Sequence, residues 1–350
     1  MARTLLGALV CALALSAPAA QAYDIVTGGK TGTYIQIGQN IGALVDHFNV
    51  DLQAVESAGS IENVNAVYKR PVTPLGIVQS DVLGWIKVRS NDPELRNIAA
   101  KTRLVFPLYN EEVHVLARRE IASLEDLAGK RVAVGKAGSG SELTATMMLA
   151  TAGIAPAETR NMAAGDALAA LKAGTLDAMV YVAGYPVKLF TDGVAAGDGL
   201  HLLPITSPAL LEFYPGSQIP AGTYSWQAAA VPVIAVKATL MTYDFPQTSQ
   251  YLRDSCATVA RIARAVQDNL GWLRAHGHPK WQQVDLTLKV PGWTQSACVR
   301  DGLDPAKPAL VLPASAGAAA GGGSCTEACQ AEENPVRRSL CEMKCMSEGQ

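Results

Sequence analysis

Beyond Leu15 the chain has no apolar run approaching the roughly twenty residues that a membrane-spanning helix needs, so the remainder is expected to be soluble. It has little charge of either sign in excess: 29 Lys and Arg stand against 31 Asp and Glu. Without a basic stripe to neutralise phosphates, nucleic acid is excluded as a partner. No Gly-x-Ser-x-Gly elbow occurs, and Gly138-Ser-Gly140 lacks its spacing. The five histidines, His47, His114, His201, His276 and His278, show no metalloprotease spacing, and His276-Gly-His278 before Pro279 reads as a solvated helix end. Gly29-Lys-Thr31 is similar to the end of a phosphate-binding loop, but Asp24 stands where its first glycine belongs. No cofactor or metal is expected.

What is present begins with a leader. Arg3, the apolar run Leu5 to Leu15 and the ending Ala20-x-Ala22 predict a signal peptide over residues 1–22 and a periplasmic mature protein. Cys11 follows Val10 rather than a small residue, which fits a signal core and not a lipid-attachment site. Length favours two domains, and 49% apolar residues supply an ample core.

Two glycine turns lead strands into helices. Thr27-Gly-Gly-Lys-Thr-Gly-Thr-Tyr34 follows an apolar strand, and Gly135-Lys-Ala-Gly-Ser-Gly-Ser-Glu142 follows Arg131-Val-Ala-Val134. Small residues admit a ligand close to the backbone, and the next helix offers unpaired N–H groups and its positive dipole end. Each turn therefore reads as an anion site, and the pair suggests two lobes holding one small acid. Strand patterns at 24–27, 50–55 and 75–78 alternate with helix patterns at 34–48 and 60–68, predicting an α/β fold with a mostly parallel, doubly wound sheet. A second series places strands at 114–117, 131–134 and 177–183, and helices at 142–152 and 167–173. Residues 231–236 read as a strand and 251–273 as one long helix, returning to the first lobe.

In this order, Thr27 to Tyr34, Ile77-Val-Gln-Ser-Asp81, Gly138 to Ala145, Val182-Ala-Gly-Tyr-Pro186 and Ile219-Pro-Ala-Gly-Thr-Tyr224 resemble the TAXI-type solute-binding subunits of TRAP transporters, across residues 24–300. The resemblance implies a two-lobed periplasmic binding protein of type II-like architecture, with hinge crossovers. It implies capture of a small organic acid or amino acid, such as glutamate or 2-oxoglutarate, and delivery to a TRAP-type membrane permease without catalysis. A ligand-binding subunit reporting to a membrane sensor and a secreted hydrolase are the alternatives. The expected bounds are 23–112 with 220–313 for the first lobe and 113–219 for the second.

The expected ligand contacts on the first lobe are Thr31, Gly32, Thr33 and Tyr34, then Ser57, then Gln79 and Ser80. On the second they are Gly138, Ser139 and Ser141, with Gly184 and Tyr185 completing the rim by family analogy. Tyr224 is placed near the interlobe strand, with core packing as its plainer reading. Thr33 serves equally as a helix cap, Lys30 either meets the ligand or solvent, and Asp81 suits a helix cap or an amino group. Glu142 suits the helix dipole.

Of the seven cysteines, Cys256 and Cys298 form an even pair in the body of the chain, expected as a disulfide in an oxidising compartment. Residues 314–324 read as a flexible Gly/Ala linker. After it, Cys325-x3-Cys329 and Cys341-x3-Cys345 resemble a twin Cys-x3-Cys helical hairpin over 325–350, implying Cys325–Cys345 and Cys329–Cys341 bridges, with a four-cysteine zinc site as the alternative.

Overall fold

The structure is a computed structural model, and it describes residues 22–313. The expected leader except Ala22, the linker and the hairpin with its two disulfides lie outside the described residues.

The first lobe starts as its periodicity dictates. Strand β1 (Tyr23–Val26) enters the glycine turn and helix α1 (Thr33–Asp46), whose Ile37, Ile41, Leu44 and Val45 are fully buried. Gly38 and Gly42, one turn apart, bring α1 against the sheet: a Cβ at Gly42 would lie 2.5 Å from the Leu52 carbonyl oxygen of β2 (Leu52–Val55). Helix α2 (Ser60–Lys69), β3 (Leu75–Gln79), α3 (Val82–Arg89) and α4 (Pro93–Lys101) follow. Alternation then divides the core: Ile25, Leu75, Ile77 and Leu240 join one apolar cluster, while Val26, Val78 and Met241 join the other.

Strand β4 (Thr102–Arg118) runs through both lobes. In the second lobe come β5 (Arg131–Gly135), α5 (Gly140–Thr151), β6 (Glu158–Asn161), α6 (Ala164–Lys172) and β7 (Ala178–Ala183). Short elements α7 (Lys188–Gly193), β8 (Leu200–Leu202), α8 (Pro208–Leu211) and β9 (Gly216–Ile219) lead to β10 (Val231–Tyr243), the second strand to traverse the molecule. The sheet order is β2-β1-β3-β10-β4-β7-β5-β6, with β8 on β4 and β9 on β10. Two lobes joined by long crossing strands are the architecture expected, with one correction. Pairing is parallel only inside each lobe, for β1 with β2 and β3 and for β5 with β6 and β7, whereas β4 and β10 are antiparallel to their neighbours. A chain that must run from lobe to lobe and return makes antiparallel hinge strands, and β10 carries a register shift between Lys237 and Thr239 at the crossing.

The segment expected to rejoin the first lobe at residue 220 does so later. Tyr224, Val233, Ile234 and Val236 belong to the second lobe's core, because β9 pairs with the first half of β10. A single 3-10 turn at Glu125–Leu127 follows β4. The long helix is broken into α9 (Gln250–Asp268) and α10 (Leu270–His276) at Asn269. Its side chain bonds the carbonyls of Ala265 and Leu310 and accepts from the Leu312 N–H at 2.8 Å, so the returning chain claims it. Cys256 of α9 and Cys298 of α11 (Ala297–Gly302) form the expected disulfide, with Cα atoms 5.3 Å apart. Arg264 adds bonds to the carbonyls of Asp304 and Lys307, tying residues 303–312 to the same helix.

Candidate functional site

Between the lobes lies a cleft of about 360 Å³. Its walls are the heads of four helices. The residues capping α1, α2, α5 and α6, namely Gly32, Gly59, Ser139 and Ala163, all line it. Three of these four have no side-chain cap, so backbone N–H groups and aligned dipoles face one small space from both sides.

Hydroxyls supplement the backbone. Ser139 Oγ accepts the Glu142 N–H at 3.1 Å and Ser141 Oγ accepts the Val182 N–H at 3.1 Å, which leaves each hydroxyl proton to donate. Thr31 and Lys30 line the first lobe's side, and Lys136 the second's, both lysines being exposed. The floor holds an acid: Glu111 is 1% exposed and accepts the Tyr34 hydroxyl at 2.6 Å. Burial holds Glu111 well above the usual carboxylate range, against the pull of that hydrogen bond, and so favours its uncharged form. Its neighbour Glu112 instead forms a buried ion pair with Lys280 at 2.7 Å.

The lobes touch across the cleft. Thr33 Oγ1 donates to the Gly184 carbonyl at 2.6 Å, the Ile61 N–H donates to the Gly138 carbonyl at 3.2 Å, and Thr144 Oγ1 donates to Gln79 Oε1 at 3.3 Å. Each bond joins one lobe to the other, and the conformation is therefore closed.

Of the residues expected at the site, Thr31, Gly32, Thr33, Tyr34, Ser57, Gln79, Ser139 and Ser141 line this cleft. Four do not. Gly138 and Gly184 contribute carbonyls to lobe contacts behind it, and Tyr185 lies beside the hinge with the Lys280 ammonium 3.8 Å from its ring centroid. Ser80 faces a different cavity, its carbonyl accepting the Trp293 indole N–H at 2.8 Å. Tyr224 is 1% exposed in the second core, where its hydroxyl bonds His114 Nε2 and accepts the Val187 N–H. Packing, its plainer reading, is what the structure shows.

Other readings also change. Thr33 does not cap α1, since Gly32 occupies that position. Ser57 commits its hydroxyl inside the first lobe, toward Asn63 Oδ1 of α2 at 2.6 Å and the Thr27 carbonyl. Glu142 braces the second turn, accepting the Gly138 N–H at 2.7 Å. His278 is 7% exposed rather than solvated, and its Nδ1 accepts the Lys280 N–H. Asp81 makes no cap.

Glu111, Tyr181 and the head of α6 were not read from the sequence. A Glu-Glu pair inside an otherwise apolar strand was the available signal for the first. The α6 head was missed because its helix begins at Ala164 and not at Ala167, three residues that carry it to the cleft.

Among the described residues no group of three His, Cys, Asp or Glu is placed to hold a metal, and no helix is long and apolar enough to cross a membrane. Solved structures similar to this chain include the periplasmic binding protein BugD, 12% identical, with 76% of this chain and 86% of that one covered at a TM-score of 0.49. MatC from Rhodopseudomonas palustris with bound malate is 16% identical, covering 71% and 87% at 0.44. An ancestral arginine-binding protein bound to arginine is 14% identical, covering 75% and 95% at 0.41. The NMT1-like family matches residues 25–252, well over half of the chain, and the chain belongs to that family.

Proposed function

We propose that this is an extracytoplasmic solute-binding protein that closes its lobes on a small carboxylate, without turnover, and delivers it to a TRAP-type permease. The observation that carries the reading is the convergence of four helix heads on a cleft of about 360 Å³, three of them lacking a side-chain cap. Such a site holds an anion by oriented N–H groups and hydroxyls, needing no fixed cation in contact with it. Glu111 in its uncharged form adds no repulsion and offers a hydrogen bond at the floor. The volume suits a molecule of a few carbons, glutamate and 2-oxoglutarate among them. Delivery to a permease rests on the motif order of the TAXI-type subunits. The leader over residues 1–22 sets the compartment.

A thermal-shift screen of amino acids and organic acids on the mature protein tests the reading. Binding confined to the native state stabilises it by RT ln(1 + [L]/Kd), about 2.7 kcal/mol at a hundredfold excess over Kd. One or a few acids are expected to raise the melting temperature by several degrees and to be recovered unchanged. A flat response across all acids, or conversion of the ligand, defeats the proposal.

A further inference from the structure

A second cavity, of about 420 Å³, also lies between the lobes. The first lobe contributes Asp81, Trp85 and Trp293 to its wall, and the second contributes Leu143, Met147 and Tyr214. Asp81 sits at the head of α3 yet makes no capping bond. Both of its carboxylate oxygens are buried without a hydrogen-bond partner. None of the ion pairs among the described residues includes it. A buried carboxylate left so is unfavourable unless a cation or a donor reaches it.

We propose that this cavity is a second interlobe site, which takes a small organic ammonium between Asp81 and the faces of Trp85, Trp293 and Tyr214. The walls select this class. Calcium- or magnesium-type ions need six or more oxygen ligands, and here the wall is largely carbon, with the Ser80 carbonyl already accepting from Trp293. An alkylammonium instead combines a charge for the carboxylate with methyl groups for aromatic faces, whose quadrupoles attract cations. The Trp293 bond to Ser80 fixes one such face before any ligand arrives.

The position adds a consequence. The wall comes from both lobes and the carboxylate oxygens are shielded in the closed form, so the ammonium enters when the lobes part and is held when they meet. It favours the same closed state as a ligand in the first cleft. Each ligand then tightens the other, by equal factors.

Titration calorimetry on the mature chain with choline, tetramethylammonium and the uncharged choline isostere 3,3-dimethylbutan-1-ol tests the site. Choline is expected to bind saturably and at least tenfold more tightly than the isostere. Asp81→Asn is expected to weaken choline at least tenfold. Tyr214→Leu, at a half-buried position, is expected to weaken it severalfold and serves if the first variant does not fold. Ser139→Ala with Ser141→Ala is expected to leave choline within threefold of wild type, separating this cavity from the first cleft. Equal binding of the isostere, displacement by equimolar sodium chloride, absence of choline binding at millimolar concentration, or choline affinity unchanged in Tyr214→Leu overturns the proposal.

Discussion

The two interlobe cavities are close in volume and opposite in chemistry. In the first cleft the polar groups are built in pairs: helix heads oppose helix heads, and serine oxygens already accept from the backbone while keeping a proton to give. Its single deep acid, Glu111, has a tyrosine partner. In the second, three aromatic residues share the wall with one carboxylate that has no partner. A cleft's ligand charge is thus set by what its walls leave unsatisfied. Unpaired N–H groups and free hydroxyl protons ask for an anion, and an unpaired carboxylate asks for a cation.

The closed state that both cavities share is removed by one substitution. A Cβ at Gly140 would lie 2.1 Å from Gln79 Oε1 and 2.7 Å from Ser60 Oγ, in the other lobe. Gly140→Ala should therefore hold the lobes apart and weaken the acid by about a hundredfold or more, since a binding-competent state at 1% population costs that factor. Small-angle scattering showing a compact, ligand-closed variant with wild-type affinity contradicts this.

Next is the first cleft alone. Ser139→Ala with Ser141→Ala removes two hydroxyl donors to a charged ligand, each worth about 1.5–3 kcal/mol, so affinity should fall at least tenfold. Losing the Ser139 cap also costs about 1 kcal/mol of stability. Calorimetry finding undiminished affinity removes the second turn from the site.

Asp81 sharpens the contrast through stability. Burial pushes its carboxyl up to about 6. The folded state thus holds a proton that the unfolded chain releases near the usual carboxylate value, so wild-type stability declines as pH rises through about 4 to 6. Glu111 and Tyr214 are the titratable groups coupled to Asp81, and neither brings positive charge to it. Asp81→Asn should stabilise the ligand-free protein at pH 7 by up to about 3 kcal/mol, and by little at pH 4. Melting curves at the two pH values that show no difference in the mutant's advantage refute the assignment.

The smallest effect concerns charge at the mouth. Lys30 is exposed, so Lys30→Ala should change acid affinity by threefold or less, and that change should shrink further in salt. A tenfold loss shows that Lys30 reaches the ligand, and the first cleft then needs a fixed cation after all.

The sequence was most informative where period and turn chemistry agree. The glycine turns at 27–34 and 135–142 open α1 and α5, and most of their residues line the cleft, because small residues before an apolar helix permit few other structures. The Cys256–Cys298 bond followed from compartment and parity. Three things depended on tertiary context. The hinge strands β4 and β10 hide their crossing, since a strand buried on both faces reads as apolar wherever the lobe boundary falls. Asn269 ends α9 through bonds to residues about forty positions away, which no local pattern encodes. Asp81 looked like a cap by position, yet its backbone is helical there and its side chain makes no capping bond, which the spacing does not reveal.

The binding of residues 303–312 to α9 has a mechanical meaning. The disulfide, the Arg264 bonds and the Asn269 bonds fasten the end of the described chain to the first lobe. Tension applied at residue 313 therefore enters the molecule through that lobe. A surface tether, a fluorophore or a fused protein placed there would ride on the first lobe alone.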